Sequence, residues 1–218
     1  MTSAPSIFAT LPLLVGAVLA GLVVGWWLAV AAERVLRPRR PLPAFARWGA
    51  AVAMGGSLAL VVGRFGLASE TPAYLFFALT GVLLAVVDLA DKRLPNAIVL
   101  PSIGIELVLL VTAAAFSGGW SALLGAALGG AALFAAYLVL ALISPRGMGM
   151  GDVKFAGFVG VALGYLGWST WLVGFVAAFL VGGVAALVAL LSGRAGLRSS
   201  IPFGPSMFAG ALLAILLS

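Results

Sequence analysis

The chain has 218 residues, of which 64% are hydrophobic and only 8% charged, with mean hydropathy +1.25 and a net charge of +6. Soluble domains carry about a quarter charged residues, so this composition predicts an all-α, polytopic bundle of transmembrane helices; a barrel would show short alternating segments instead. There is no His and no Cys, which excludes Ser-His-Asp and Cys-His nucleophiles, HExxH zinc, Cys/His metal clusters, His-ligated haem and disulfides.

Eight apolar stretches follow in chain order, at 7–32, 48–67, 72–90, 97–116, 120–143, 155–168, 170–192 and 203–217. Each is at or near the length that crosses a hydrocarbon core of about 30 Å. The sixth and eighth are short, and dividing 155–192 differently would leave seven helices. The first has no basic n-region and is too long for the h-region of a signal peptide, so it reads as a retained helix. The segment 34–47, RVLRPRRPLPAFAR, reads as a linker. Nothing marks a second domain, and 1–218 is expected to be one integral-membrane domain. Within the apolar runs, Gly21 and Gly25, Gly125 and Gly129, and Gly160 and Gly164 repeat at a spacing of four. That spacing lets membrane helices pack closely.

The bases orient this arrangement. Arg34, Arg37, Arg39, Arg40, Arg47, Lys92, Arg93, Arg146, Lys154, Arg194 and Arg198 all fall in alternate loops, and only Arg64 falls on the other side. Basic loops stay in the cytoplasm, so these loops are predicted to be cytoplasmic and both termini outside, in a plasma (inner) membrane. Trp120, Trp168 and Trp171 then lie at the outer interface, where aromatic belts form. The bases are scattered through short loops, which argues against nucleic acid as a partner.

With no His or Cys, acid–base chemistry has to come from the acids Glu33, Glu70, Asp88, Asp91, Glu106 and Asp152, the bases and three tyrosines. Glu33 and Glu70 sit at membrane borders and read as solvated. Asp91 lies beside Lys92 and Arg93 and reads as a solvated loop charge. Asp88 closes the apolar run LTGVLLAVV, a depth at which a carboxylate needs a polar cavity or a partner. Asp152 follows glycines 147, 149 and 151 in SPRGMGMGDVKFAGF, a loop flexible enough to approach another backbone closely. Its ordinary reading is a mobile loop with a satisfied Asp152–Lys154 pair. Asp88 and Asp152 share one membrane border. If they meet, they cannot both ionise easily, which is the arrangement by which an aspartic protease activates water. Glu106, about ten residues into the fourth helix, could line the same cavity, bind a polar group of a substrate, or hydrogen-bond a neighbouring helix while protonated.

At these residues the chain resembles the type IV prepilin peptidases, membrane aspartic proteases of the GxGD class. One block is VVDLADKRLPNAIVLP, in which Asp88, Pro95, Asn96 and Pro101 occupy the family's positions. A second is GMGMGDVKFAG, with Gly149, Met150, Gly151 and Asp152 as GxGD and Val153-Lys154 after it. A weaker third is IPFGPSMFAGA before the last helix. The blocks span about 75–215, and the resemblance is weaker over 1–70.

The resemblance implies an endopeptidase that removes the short basic leader of prepilin-like proteins, in type IV pilus or protein-secretion pathways. It cuts at the cytoplasmic face beside a hydrophobic substrate helix. Asp88 and Asp152 would be the catalytic pair, with no metal or cofactor. Gly149, Gly151, Pro95, Asn96 and Lys154 would support the site, and Pro202 and Gly204, with Glu106, would line its cavity. Longer relatives carry paired CxxC motifs after the first helix and also N-methylate their product. The short, Cys-free loop 33–47 therefore predicts neither methylation nor S-adenosylmethionine. Pilin and flagellin-type substrates both stay open, as does oligomeric state. Two other classes compete: a small proton- or cation-coupled transporter using Asp88, Glu106 and Asp152 as relay sites, and a non-catalytic assembly protein.

Overall fold

A computed structural model describes residues 7–36, 39–144, 148–193 and 202–218, with side chains from residue 11 onward. Four of the bases that set the predicted orientation, Arg37, Arg146, Arg194 and Arg198, lie outside the described residues. The described residues form eight helices and no strands: α1 (Ile7–Glu33), α2 (Ala44–Phe65), α3 (Thr71–Asp91), α4 (Asn96–Ser117), α5 (Trp120–Ile143), α6 (Met150–Leu166), α7 (Trp168–Leu191) and α8 (Gly204–Leu217). All but α6 and α8 are long and apolar enough to cross a membrane. The protein is therefore a multi-pass membrane protein.

Helix α2 starts at Ala44, earlier than the predicted 48, because Pro43 supplies the extended residue before the first turn and its carbonyl accepts from Ala46 and Arg47. The linker shrinks accordingly. Helix α6 starts at Met150 rather than 155, for a reason that belongs to the site below.

Helices α3 and α6 form the centre: 11 of 21 residues in α3 and 12 of 17 in α6 are buried. Helices α1 and α2 pair, as do α5 with α6 and α7 with α8. Glycine makes these pairs close. A Cβ on Gly21 would stand 2.6 Å from the Cα of Gly55 on α2, and one on Gly129 would stand 2.7 Å from the carbonyl oxygen of Gly160 on α6. The predicted four-residue spacings are thus helix–helix seams, α1 against α2 and α5 against α6. Aromatic rings fill the space between α3 and α6. Phe77 stacks on Phe158 with centroids 5.3 Å apart, and the ring of Phe208 from α8 lies 5.7 Å from that of Phe77. At one end of the bundle the Tyr74 hydroxyl donates to the Ala162 carbonyl at 2.8 Å, tying α3 to α6. Trp120 and Trp168 are exposed at helix starts, as an interfacial belt requires. Trp171 instead turns its indole N–H into the α5 seam, donating to Gly129 at 2.9 Å.

Candidate active site

At the other end of α3 and α6 the three sequence blocks converge. Asp88 does not close α3. The helix runs one further turn to Asp91 and stops at Lys92, whose left-handed backbone (φ 51°) lets its N–H return to the Asp88 carbonyl. Asp88 is 3% exposed. Its carboxylate Oδ2 accepts the N–H of Gly204 at 2.9 Å. Gly204 opens α8, so that N–H has no partner in its own helix and is free for an anion.

Asp152 is not in a loop. It stands in the first turn of α6 and closes that turn on itself: the Gly149 N–H donates to its Oδ2 at 3.0 Å, and its own N–H donates to the Gly149 carbonyl at 3.0 Å. A carboxylate at this position satisfies one of the donors that every helix start leaves open. That is why the glycine-rich stretch becomes helix where hydropathy predicts a loop. Asp152 is only partly buried. Its predicted partner Lys154 points elsewhere, donating to Asn96 Oδ1 at 3.0 Å.

The Asp152 carboxylate, 64 positions further along the chain, stands close enough for its charge to act on Asp88. Three contacts bring them there. Lys154 and Asn96 tie the first turn of α6 to the first turn of α4. Gly151 lets α6 lie against the α3–α4 connection, since a Cβ there would stand 3.0 Å from Leu94 Cβ and 3.1 Å from the Leu94 carbonyl oxygen. Pro95 holds that connection extended (φ −71°, ψ 126°) and accepts from Ile98 and Val99. Pro202 is half-buried in the segment that delivers Gly204 to Asp88.

The other acids depart from the sequence reading. Asp91 is not a solvated loop charge: its side chain is 5% exposed and pairs with Arg40 and Arg93, each at 3.4 Å. Glu33 is likewise engaged, accepting from the Leu42 N–H at 2.9 Å and from Arg47 at 2.6 Å. These pairs pin the α1–α2 connection beside the end of α3. Glu106 is 0% exposed on α4, and neither carboxylate oxygen has a hydrogen-bond partner among the described residues. It lies close enough to Tyr74 for its charge to act there.

Sequence reasoning missed two residues. Tyr137, buried on α5, lies within range of the Asp152 charge. Phe203 packs its ring against Tyr137 and Phe179, with centroids 6.0 and 5.3 Å away. It thereby fixes the residue immediately before Gly204. Both read as ordinary core aromatics in an apolar run; only the Pro-Phe-Gly-Pro block marked Phe203 at all.

Residues 75–187 match the type IV leader peptidase family. The chain belongs to that family. It is 34% identical over 157 residues to a prepilin leader peptidase/N-methyltransferase of Bacillus subtilis (strain 168), covering 70% of this chain and 58% of that one. Proteins of the same description from Stutzerimonas stutzeri and Pseudomonas putida are 28% and 27% identical, over 72% of this chain and 53% and 54% of theirs. The chain thus spans little more than half the length of these leader peptidase relatives. No solved structure matches it significantly. The matched span contains Asp88, the α3–α4 connection and Asp152, and it stops short of Gly204.

Proposed function

We propose that this protein is an aspartic endopeptidase that removes the short basic leader of a prepilin-like protein at the cytoplasmic border of the plasma membrane. The observation that supports the reading is that Asp88 and Asp152 stand at the same end of α3 and α6, each carboxylate held by a backbone N–H and Asp152 close enough for its charge to act on Asp88. In the proposed reaction one carboxylate takes a proton from water as the oxygen attacks the scissile carbonyl. The other, protonated, donates a hydrogen bond to the carbonyl oxygen. The tetrahedral intermediate collapses as the departing amine receives a proton, leaving the leader carboxylate and a new N-terminus. Family membership supports this reading, as does the difference between the two acids: Asp88 is enclosed and Asp152 is open on one side, where water and a peptide can reach.

The orientation belongs to the same proposal. The basic residues Arg34, Arg39, Arg40, Arg47, Lys92, Arg93 and Lys154 all gather at the aspartate end, which the charge rule assigns to the cytoplasm, with both termini outside. The connection between α1 and α2 holds no Cys, so no methyl transfer is proposed.

The test is cleavage of a co-expressed substrate bearing a basic leader, a glycine before the cut and an apolar helix after it, followed by mass. Asp88→Asn and Asp152→Asn should each abolish processing, a loss of at least about a thousandfold, while accumulating in the membrane like the wild type. A positioned acid–base group typically contributes about 10²–10⁴ in rate, and each aspartate serves both the attack and the collapse. Processing that survives either change removes that residue from the mechanism.

A further inference from the structure

Tyr137 is the one phenol in a cluster of phenylalanines beside the aspartates. We propose that its hydroxyl donates a hydrogen bond to the scissile carbonyl oxygen and holds that oxygen as it gains charge, which makes Tyr137 a further catalytic residue; the proposal rests on the peptidase reading above.

Contacts on two sides place it. The α5–α6 seam is antiparallel. A Cβ on Gly125 would meet the Gly164 carbonyl oxygen, one on Gly129 the Gly160 carbonyl oxygen, and one on Gly157 the Cβ of Phe134. Each step along α5 thus matches a step back along α6. Carried on from Phe134 to Tyr137, this register sets Tyr137 level with the start of α6, where Asp152 stands. The Asp152 charge acts on Tyr137 accordingly. On another side its ring lies 6.0 Å from that of Phe203. Phe203 directly precedes Gly204, whose N–H holds Asp88. Tyr137 therefore sits between the turn that carries Asp152 and the helix start that holds Asp88.

The hydroxyl is available. Phe175 and Phe179 also close round the ring, with centroids 6.1 and 5.6 Å away, and Tyr137 is 1% exposed. Buried phenols usually find a hydrogen-bond partner, as Tyr74 does at Ala162. The Tyr137 hydroxyl has none among the described residues. Nor is it sealed in, since the fully enclosed side-chain oxygens without a partner among the described residues are those of Glu106. The little surface that Tyr137 keeps is thus at its hydroxyl. Packing alone would be served by a fourth phenylalanine, without taking a hydroxyl out of water.

The reaction calls for such a donor. As water adds, the carbonyl π electrons move onto oxygen, and the protonated aspartate gives that oxygen one hydrogen bond. An oxyanion accepts more than one, and donors fixed before the charge appears stabilise it most. No atom changes hands at Tyr137: the phenol keeps its proton, and its hydrogen bond relaxes when the intermediate collapses.

Tyr137→Phe tests this, because it keeps the ring and its three ring contacts. With the purified protein in lipid nanodiscs and the basic-leader substrate described above, kcat should fall on the order of 100-fold, the usual loss for one oxyanion donor, with KM within about twofold. The thermal midpoint and the pH midpoints of kcat/KM should stay where they are. A peptide with a hydroxyethylene group in place of the cut bond presents a tetrahedral hydroxyl there, and its Kd should rise about tenfold. Tyr165→Phe, at the far end of α6, should leave both kcat and that Kd unchanged. Wild-type kcat in Tyr137→Phe overturns the tyrosine's role and leaves the peptidase standing. Shifted pH midpoints, or a lowered kcat with unchanged hydroxyethylene Kd, also overturn it, since the residue would then act through Asp152 or the fold. A wild type that cleaves no such substrate overturns the peptidase reading and this proposal with it.

Discussion

Gly204 has no room for a methyl group. A Cβ there would stand 2.9 Å from Asp88 Oδ2 and 3.4 Å from its Cγ. Gly204→Ala must therefore push the carboxylate aside or lose the N–H that holds it. Misplacement of a reacting group by about 1 Å costs on the order of a hundredfold in rate. Gly204→Ala is accordingly expected to lower kcat by 10- to 100-fold (~1 Å of displacement) with KM little changed, as read in the cleavage assay. Phe203 acts one step further back, because its ring fixes the segment that presents Gly204. Phe203→Ala should lower kcat in the same direction, and Phe203→Tyr, which keeps the ring, should restore most of it. A merely structural role would lower the amount of folded protein without the rescue in kcat. None of this coupling was legible in the sequence. Asp88 and Gly204 are 116 positions apart, and no local pattern says that a helix start will meet a particular acid. The block around Gly204 was visible only as a resemblance.

At the scale of helices, the seams decide stability. Gly129 faces the Gly160 carbonyl oxygen at 2.7 Å and the Gly164 Cα at 2.8 Å from where its Cβ would be. Neither neighbour is a flexible side chain, so α5 and α6 would have to separate. Gly129→Ile should cost about 1–3 kcal/mol, the usual range for overpacking, read as a lowered midpoint of thermal unfolding in detergent. Gly183→Ile, with open space around it, is the neutral comparison. The seams were legible because a four-residue spacing brings two glycines to one helix face, although spacing alone could not say which helix would lie opposite. Helix ends were less legible. Hydropathy found eight stretches and their order, yet placed the start of α6 five residues late. The first turn there is Met-Gly-Asp, which is not apolar; it is helical because Asp152 closes it on Gly149. Charges near helix ends were misread for a related reason. Asp91 and Glu33 looked solvated because Arg40, from the α1–α2 connection, and Arg47, from the first turn of α2, reach them along a path the sequence does not show.

For the whole molecule the open quantity is direction across the membrane. The chain contains no Cys, so one introduced cysteine reports its own location. Leu67→Cys, in the exposed connection between α2 and α3, should react with a membrane-impermeant thiol reagent in intact cells. Arg39→Cys, at the aspartate end, should react only after the membrane is opened. The reverse pattern would put the aspartates outside and remove the cytoplasmic cut from the proposal.

Tyr74 and the aspartates sit at opposite ends of the same two helices. The hydroxyl of Tyr74 pins α3 to α6 at one end, and Asp88 lies 14 residues further along α3, about 21 Å away at 1.5 Å per residue. Helix α3 is thus a lever with its fulcrum at the phenol. A tilt of about 5° swings the far end, where Asp88 stands, by roughly 2 Å over that length.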